Sequence, residues 1–419
     1  MQSEKSSEWK DAMKEELKSH EENETWRVVR EPKNAKIIDS KWLYRVKGDG
    51  KLKARLVARG FQQTYKDNEE IYSRVAKSQS LKFLLTIATI FNFIVHQMDV
   101  QTAFLNGYIK ETVYVRPPEG VGVKEGHVFK LFKALYGLRE SPRDWYECFN
   151  NFLLSVGFAR SHFDPCLYFP DKFKMKDLGE IKKYLGINVK FDRNSKLISI
   201  NQTDYIKSVA KKSQITDSRL FNIPMEQNLK IQHGDIEYGE DVTEFRSLVG
   251  ALLFIGMNTR PDIAYAVNYL SRFQTYCTST IFQYGLRLLK YLYKTKDLEL
   301  SISGERAIFK NPITCYVDAD WAGDPLDRKS TSGYVIKLFD NPIVWKSQKQ
   351  KGITKSSTEA EYVALSTAVT ELKFIKALLS EFNLVKVSNP IPIYEDNSGA
   401  KAIAEKGNFT KKIKTHRGS

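Results

Sequence analysis

Cysteine is scarce in this chain: Cys148, Cys166, Cys277 and Cys315 are the only four in 419 residues, and no two fall at a paired spacing. That excludes a disulfide framework and a cysteine zinc site, and it points to a reducing compartment. Histidine is scarce as well. The six histidines never fall at His-x-x-x-His or a similar spacing, which removes the usual transition-metal arrangement. Long apolar runs are missing too, none reaching the ~20 residues that a bilayer-spanning helix needs. With a polar, acidic N-terminus in addition, the sequence predicts neither a signal peptide nor a membrane anchor, and hence an intracellular, cytoplasmic or nuclear, location.

What is present is ample for packed domains, with 42% hydrophobic and 12% aromatic residues, so disorder is not expected. A chain of 419 residues exceeds one ordinary core, and two to four structural units are predicted. The formal charge of +15 favours an anionic partner, nucleic acid first. The distribution is more informative than the total. Residues 1–26 hold eight acids against four bases, whereas residues 27–60 hold eleven bases against three acids. A basic segment that begins so sharply reads as a binding face.

Two stretches place carboxylates at predicted strand ends. In the first, Phe91, Phe93 and Val95 alternate at the two-residue period of a half-buried strand, which carries Asp99 onto the same face at its end. Ahead of it, Trp9, Met13 and Leu17 recur every four residues, an amphipathic helix. Lys41–Lys47 and Lys51–Phe61 flank Gly48-Asp-Gly50 as a hairpin with basic side chains along it, for which spacing alone slightly favours a solvated charged hairpin over a binding one. Leu81–Ile90 reads as an apolar packing helix, and Val113–Val115 as a strand stopped by two prolines.

The second stretch is Ile313-Thr-Cys-Tyr-Val-Asp318, followed by strand-like Gly333–Lys337 and Ile343–Trp345. Ser356-Ser-Thr-Glu359 is a capping box, so a helix is predicted from there to about Phe382. Leu365, Ala368, Leu372, Ile375 and Leu379 follow Glu361 at helical spacing and Glu359 lies off that stripe, so Glu361 faces the sheet. Ile391–Glu395 then leads to Asp396. Asp318, Glu361 and Asp396, from strand, helix and strand, form a divalent-cation constellation. Between the two stretches the sequence predicts packing: strands at Tyr184–Val189 and Leu197–Ile200, a helix from Tyr205, a polar loop over Glu226–Asp241, and helices at Ser247–Ile255 and Asp262–Leu270.

Asp99-Val-Gln-Thr-Ala-Phe104-Leu-Asn-Gly107 and Leu135-Tyr-Gly-Leu-Arg-Glu-Ser-Pro142 resemble the palm of copia-type retrotransposon reverse transcriptases, and Lys53-Ala-Arg-Leu-Val-Ala-Arg-Gly-Phe61 resembles their fingers hairpin. Asp318-Ala-Asp-Trp-Ala-Gly-Asp324, Arg328–Tyr334, Ser356–Tyr362 and Tyr394-Glu-Asp-Asn397 resemble their ribonuclease H domain. The resemblance implies an α+β fold: a partial right-hand polymerase followed by a ribonuclease H-like α/β domain. It divides the chain into an acidic N-terminal helix (1–30), fingers and palm (31–190), a thumb or connection (191–305) and the ribonuclease H-like part (306–419).

It also implies roles. Lys53 and Arg55 would grip a triphosphate, Phe104 would sense the ribose, and Tyr136 and Gly137 would shape the nucleotide pocket. Asp99 would hold polymerase metal, while Asp318, Glu361 and Asp396 would hold two Mg²⁺ ions for cutting the RNA of an RNA–DNA hybrid. The sequence departs from the family in two places. The Tyr-Val-Asp-Asp hairpin that supplies the remaining polymerase carboxylates is absent between Phe169 and Phe173, where Asp171 and Asp177 read as surface acids. The chain stops at Lys414–Ser419, ahead of the family's last histidine-led acidic motif. The expectation is therefore a polymerase-dead segment with weak or absent hybrid cleavage. The alternatives are a non-catalytic nucleic-acid binder and a decayed or mis-spliced transposon product.

Overall fold

The helix expected around Trp9 forms as α1, Ser6–Glu22, with Ala12 and Met13 on its buried side. In this computed structural model residues 6–46, 50–64, 73–100, 102–170, 181–215, 220–227, 229, 231, 242–305, 311–385, 387 and 390–406 are described. They belong to two compact units, one of Met1–Ala76 with Met98–Met175 and one of Lys77–Gln97 with Lys176–Ser419. The apolar helix of the first half, α2 (Ser78–Ile90), thus belongs to the second unit. Asp171, Asp177, the first two residues of the Gly48-Asp-Gly50 turn, most of the 226–241 loop and Lys414–Ser419 lie outside the described residues.

In the first unit a four-stranded sheet runs in the order β1 (Trp26–Arg30), β6 (His127–Leu131), β5 (Tyr114–Val115), β2 (Ile37–Ile38). The basic hairpin forms beside it from β3 (Ser40–Val46) and β4 (Leu52–Ala58), in register from Ser40 opposite Ala58 to Val46 opposite Leu52. Along β4, Leu52, Ala54, Leu56 and Ala58 are buried while Lys53, Arg55 and Val57 alternate to the more open face. Ala54 packs with Ala12 and Met13 of α1, and Leu56 joins Ile38, Val115, Phe129, Leu131 and Leu135 in the core. Helix α3 (Ser141–Ser155) and a separate hairpin of β7 (Phe158–Arg160) and β8 (Tyr168–Pro170) complete the unit.

The strand expected to carry Asp99 does not form. The chain turns at Phe91–Asn92, makes only a single bridge at His96, and leaves Met98, Asp99 and Val100 exposed without regular structure. A strand is stabilised by neighbours on its edges. Among the described residues this segment has none in any named sheet.

The second unit holds two four-stranded sheets. One is antiparallel, in the order β12 (Leu300–Ser303), β11 (Leu197–Asn201), β10 (Ile187–Asp192), β9 (Lys183–Tyr184). The run 184–189, expected as one strand, is instead the bend of a hairpin: Leu185 and Gly186 take φ of 45° and 85°, a left-handed turn that reverses the chain. Helices α4 (Thr203–Lys212), α5 (Thr243–Asn258), α6 (Ala264–Ser271) and α7 (Ser279–Lys294) bury a common core that includes Ile206, Leu252, Val267 and Leu289. The other sheet runs β15 (Asn341–Lys349), β14 (Thr331–Leu338), β13 (Ile313–Asp320), β16 (Ile393–Tyr394), with α8 (Ser357–Phe382) against β13 and β14 and α9 (Ser398–Lys406) against α8. The fold is α+β. No helix among the described residues is long and apolar enough to cross a membrane.

Candidate functional site

The parallel pairing of β13 with β16 sets Cys315 opposite Ile393 and Tyr316 opposite Tyr394. Asp318 comes two residues further along β13 and Asp396 two residues beyond the end of β16, so the chain direction brings these acids to the same end of the sheet. Helix α8 begins over the same end. Its Ser356 cap accepts the Glu359 N–H at 3.2 Å, and the Glu359 carboxylate accepts the Lys355 N–H at 2.7 Å. With Glu359 spent on the cap, Glu361 turns inward and is buried. Carboxylate oxygens of Asp318, Glu361 and Asp396 lie within 4.8 Å of one another, the single such convergence of three or more metal-ligating side chains among the described residues.

Burial pushes the Glu361 carboxyl up to about 8, and the charges of Glu395, Asp318 and Asp396 push the same way against one Ala319 N–H. Glu395, which sequence reasoning passed over, is raised as well, first by burial and then by Asp396 and Asp318, against the Asn397 N–H. Oε2 of Glu361 and Oε2 of Glu395 are buried with no hydrogen-bond partner. Hard carboxylate oxygens, several of them unsatisfied, fit a divalent cation of the Mg²⁺ type. The two-residue period could have flagged Glu395, because it places Tyr394 and Asp396 on one face and Glu395 on the opposite, buried one.

The other acids of the Asp318–Asp324 motif are structural. A Cβ at Gly323 would lie 1.8 Å from Asp320 Oδ2, so that carboxylate folds back over the glycine. Asp324 is buried and ion-paired to Arg272 at 2.8 Å and Lys349 at 2.6 Å. Burial alone would raise its carboxyl, but these partners hold it below the ordinary range.

In the first unit, Lys53, Arg55, Asp99 and Tyr136 line one cavity of about 510 Å³ together with Glu15 and Glu16 of α1. The Arg55 guanidinium lies 5.1 Å from the Tyr136 ring centre, and the Phe104 ring centre lies 4.6 Å from that of Tyr136. Gly137 takes a φ of +92°, and a Cβ there would meet Ala58 O at 2.1 Å, so this glycine lets the loop close onto β4. The structure thus brings together the residues expected around a nucleotide, but Asp99 belongs to no group of three ligands among the described residues.

A profile for the reverse transcriptase (RNA-dependent DNA polymerase) family matches residues 23–171 and 166–227. A putative transposon Ty5-1 protein of Saccharomyces cerevisiae is 32% identical over 312 residues, covering 66% of this chain and 100% of that protein. The chain belongs to the copia-type retrotransposon Pol family. The Retrovirus-related Pol polyprotein from transposon RE1 of Arabidopsis thaliana is 33% identical over 449 residues, covering 97% of this chain and 30% of that polyprotein. The chain therefore spans under a third of the length of that Pol relative. An alignment of 449 positions exceeds the 419 residues available, so the RE1 polyprotein carries residues that this Pol segment lacks. The profile match is itself broken in two, the pieces meeting at residues 166–171, beside Phe169. A foamy viral protease-reverse transcriptase in complex with double-stranded DNA covers 94% of this chain and 64% of its own, at 11% identity and a TM-score of 0.48, too distant to carry an argument about this Pol segment.

Proposed function

We propose that this Pol segment keeps one metal-dependent activity, slow hydrolysis of the RNA strand of an RNA–DNA hybrid at Asp318, Glu361 and Asp396, and has no DNA polymerase activity. The observation that carries this reading is the asymmetry between the two acidic stretches: three carboxylates converge in the second unit, whereas among the described residues the other acids lining the Asp99 cavity are Glu15 and Glu16, and Glu15 is engaged by Lys51 at 3.7 Å. In this reading residues 306–419 are the ribonuclease H-like part, 31–190 a polymerase remnant and 191–305 a connection.

Divalent cations of the Mg²⁺ type, held by Asp318, Glu361 and Asp396, would supply an activated water and stabilise the leaving oxygen. Exposed Asp318 and Asp396 present their oxygens on the solvent side, where a phosphodiester can reach them. Glu361, fixed from below by the capped, buried start of α8, holds its carboxylate between them. Three carboxylates are few for two ions, so slow turnover is the expectation. Lys53 and Arg55, aided by Phe104, Tyr136 and Gly137, keep the chemistry of a phosphate grip without the carboxylates that polymerisation requires.

Incubation with a fluorescent RNA–DNA hybrid and Mg²⁺ or Mn²⁺ tests both halves. Slow cleavage, abolished in Asp318→Asn, is expected, with primer extension no greater than in a no-enzyme control. Extension above that control would refute the polymerase half; equal product from wild type and Asp318→Asn would refute the other. The charge of +15 supports a second reading, a binder without turnover. Salt-sensitive hybrid binding with no cleavage would select it.

A further inference from the structure

Glu395 stands next to Asp396 of the triad, and only one of its two carboxylate oxygens has a structural partner. It lies one residue beyond β16, flanked by exposed Tyr394 and Asp396, and is itself only 6% exposed. One of its oxygens accepts the Asn397 N–H at 3.0 Å. The other has no partner, and neither does Oε2 of Glu361, also 6% exposed. The strongest charged neighbours of Glu361 are carboxylates, Glu395 first among them. Two buried carboxylate oxygens without a partner, on glutamates close enough for the charge of one to raise the other, call for a positive group, and among the described residues no salt bridge reaches either.

We propose that Glu395 is a fourth carboxylate of the centre and that, with Glu361 as the shared ligand, it seats a second divalent cation on the inner side of Asp318, Glu361 and Asp396. The inference rests on reading that triad as a metal centre. An all-oxygen donor set selects a hard ion such as Mg²⁺ or Mn²⁺ over a thiophilic one. A bridging Glu361 sets two ions at the short separation that a two-ion hydrolase needs. It also gives the orphan oxygens of both glutamates a partner at once.

The full chain is titrated with Mn²⁺ and followed by electron paramagnetic resonance, which counts bound ions and detects spin coupling between neighbours, with hybrid cleavage measured on the same samples. Wild type should bind two coupled Mn²⁺ ions. Glu395→Gln should keep the first within about threefold in affinity, lose the second by at least tenfold, and lose the coupling. Glu395→Asp, which retains the charge on a shorter arm, should bind the second more weakly than wild type but better than Glu395→Gln; a thermal melt of each variant confirms folding. One ion in wild type, or two coupled ions in Glu395→Gln, overturns the proposal. No ion in wild type overturns the triad reading with it, whereas two coupled ions without hybrid cleavage uphold this proposal and refute the hydrolase.

Discussion

At the scale of single residues, the second unit tolerates charges in its interior for two different reasons. Glu361 and Glu395 are buried acids with oxygens left open, the pattern of groups kept for a ligand at a cost in stability. Lys82 of α2 is buried for structure. Its Nζ sits 3.5 Å from the ring centre of Trp345 and donates to the Met257 carbonyl at 3.0 Å, near the negative end of α5. Those contacts favour the ammonium, yet burial dominates and pushes it from 10.5 down to about 7. The consequence for stability has a definite sign. Between about 7 and 10.5 the unfolded chain holds a proton on Lys82 that the folded chain gives up, so stability rises with pH across that window and is flat in this contribution below it. Urea unfolding at pH 7 and pH 9 should show a gain for wild type that is smaller in Lys82→Met; an equal gain in both would place the pH response elsewhere.

At the scale of elements, α8 positions the centre, and its start is held by a reciprocal cap between Ser356 and Glu359. Ser356→Ala removes the acceptor for the Glu359 N–H and should cost about 1 kcal/mol in urea unfolding, with weaker Mn²⁺ binding as the first turn frays under Glu361. An unchanged midpoint would mean that packing against β13 alone sets the helix start. This element was fully legible in the sequence, because a capping box and a helical stripe are local signals: α8 spans Ser357–Phe382, and Glu361 rather than Glu359 is buried. The hairpin β3–β4 was legible for the same reason. The Asp99 strand was not, since an alternating pattern states which face a strand would bury but not whether an edge is available to pair with it. The β9–β10 bend was hidden because a lone glycine inside an apolar run, Gly186, is as compatible with a bulge within one strand as with a reversal between two. Glu395 was hidden by its neighbour: the motif resemblance singles out Asp396 in Tyr394-Glu-Asp396, and only the two-residue period marks Glu395 as the inward acid.

At the scale of the whole molecule, the chemistry and the charge pull in opposite directions. The centre is a knot of carboxylates that repels a polyanion, while the chain as a whole carries +15. Binding must therefore be carried by basic side chains away from the acids, such as the exposed Lys346, Lys351 and Lys355 that lead into α8, and cleavage by the acids once cations neutralise them. The two should come apart in experiment. Hybrid affinity measured by fluorescence anisotropy in Ca²⁺ should fall steeply with salt, by about 10³-fold or more between 50 and 200 mM if roughly six phosphates are contacted. Asp318→Asn removes a negative charge and no basic contact, so it should bind at least as tightly as wild type, with the same salt slope, while cleaving nothing. An affinity indifferent to salt would detach the charge from nucleic acid altogether. A variant that lost binding together with cleavage would mean that the acids hold the hybrid through their ions, with the basic side chains contributing little.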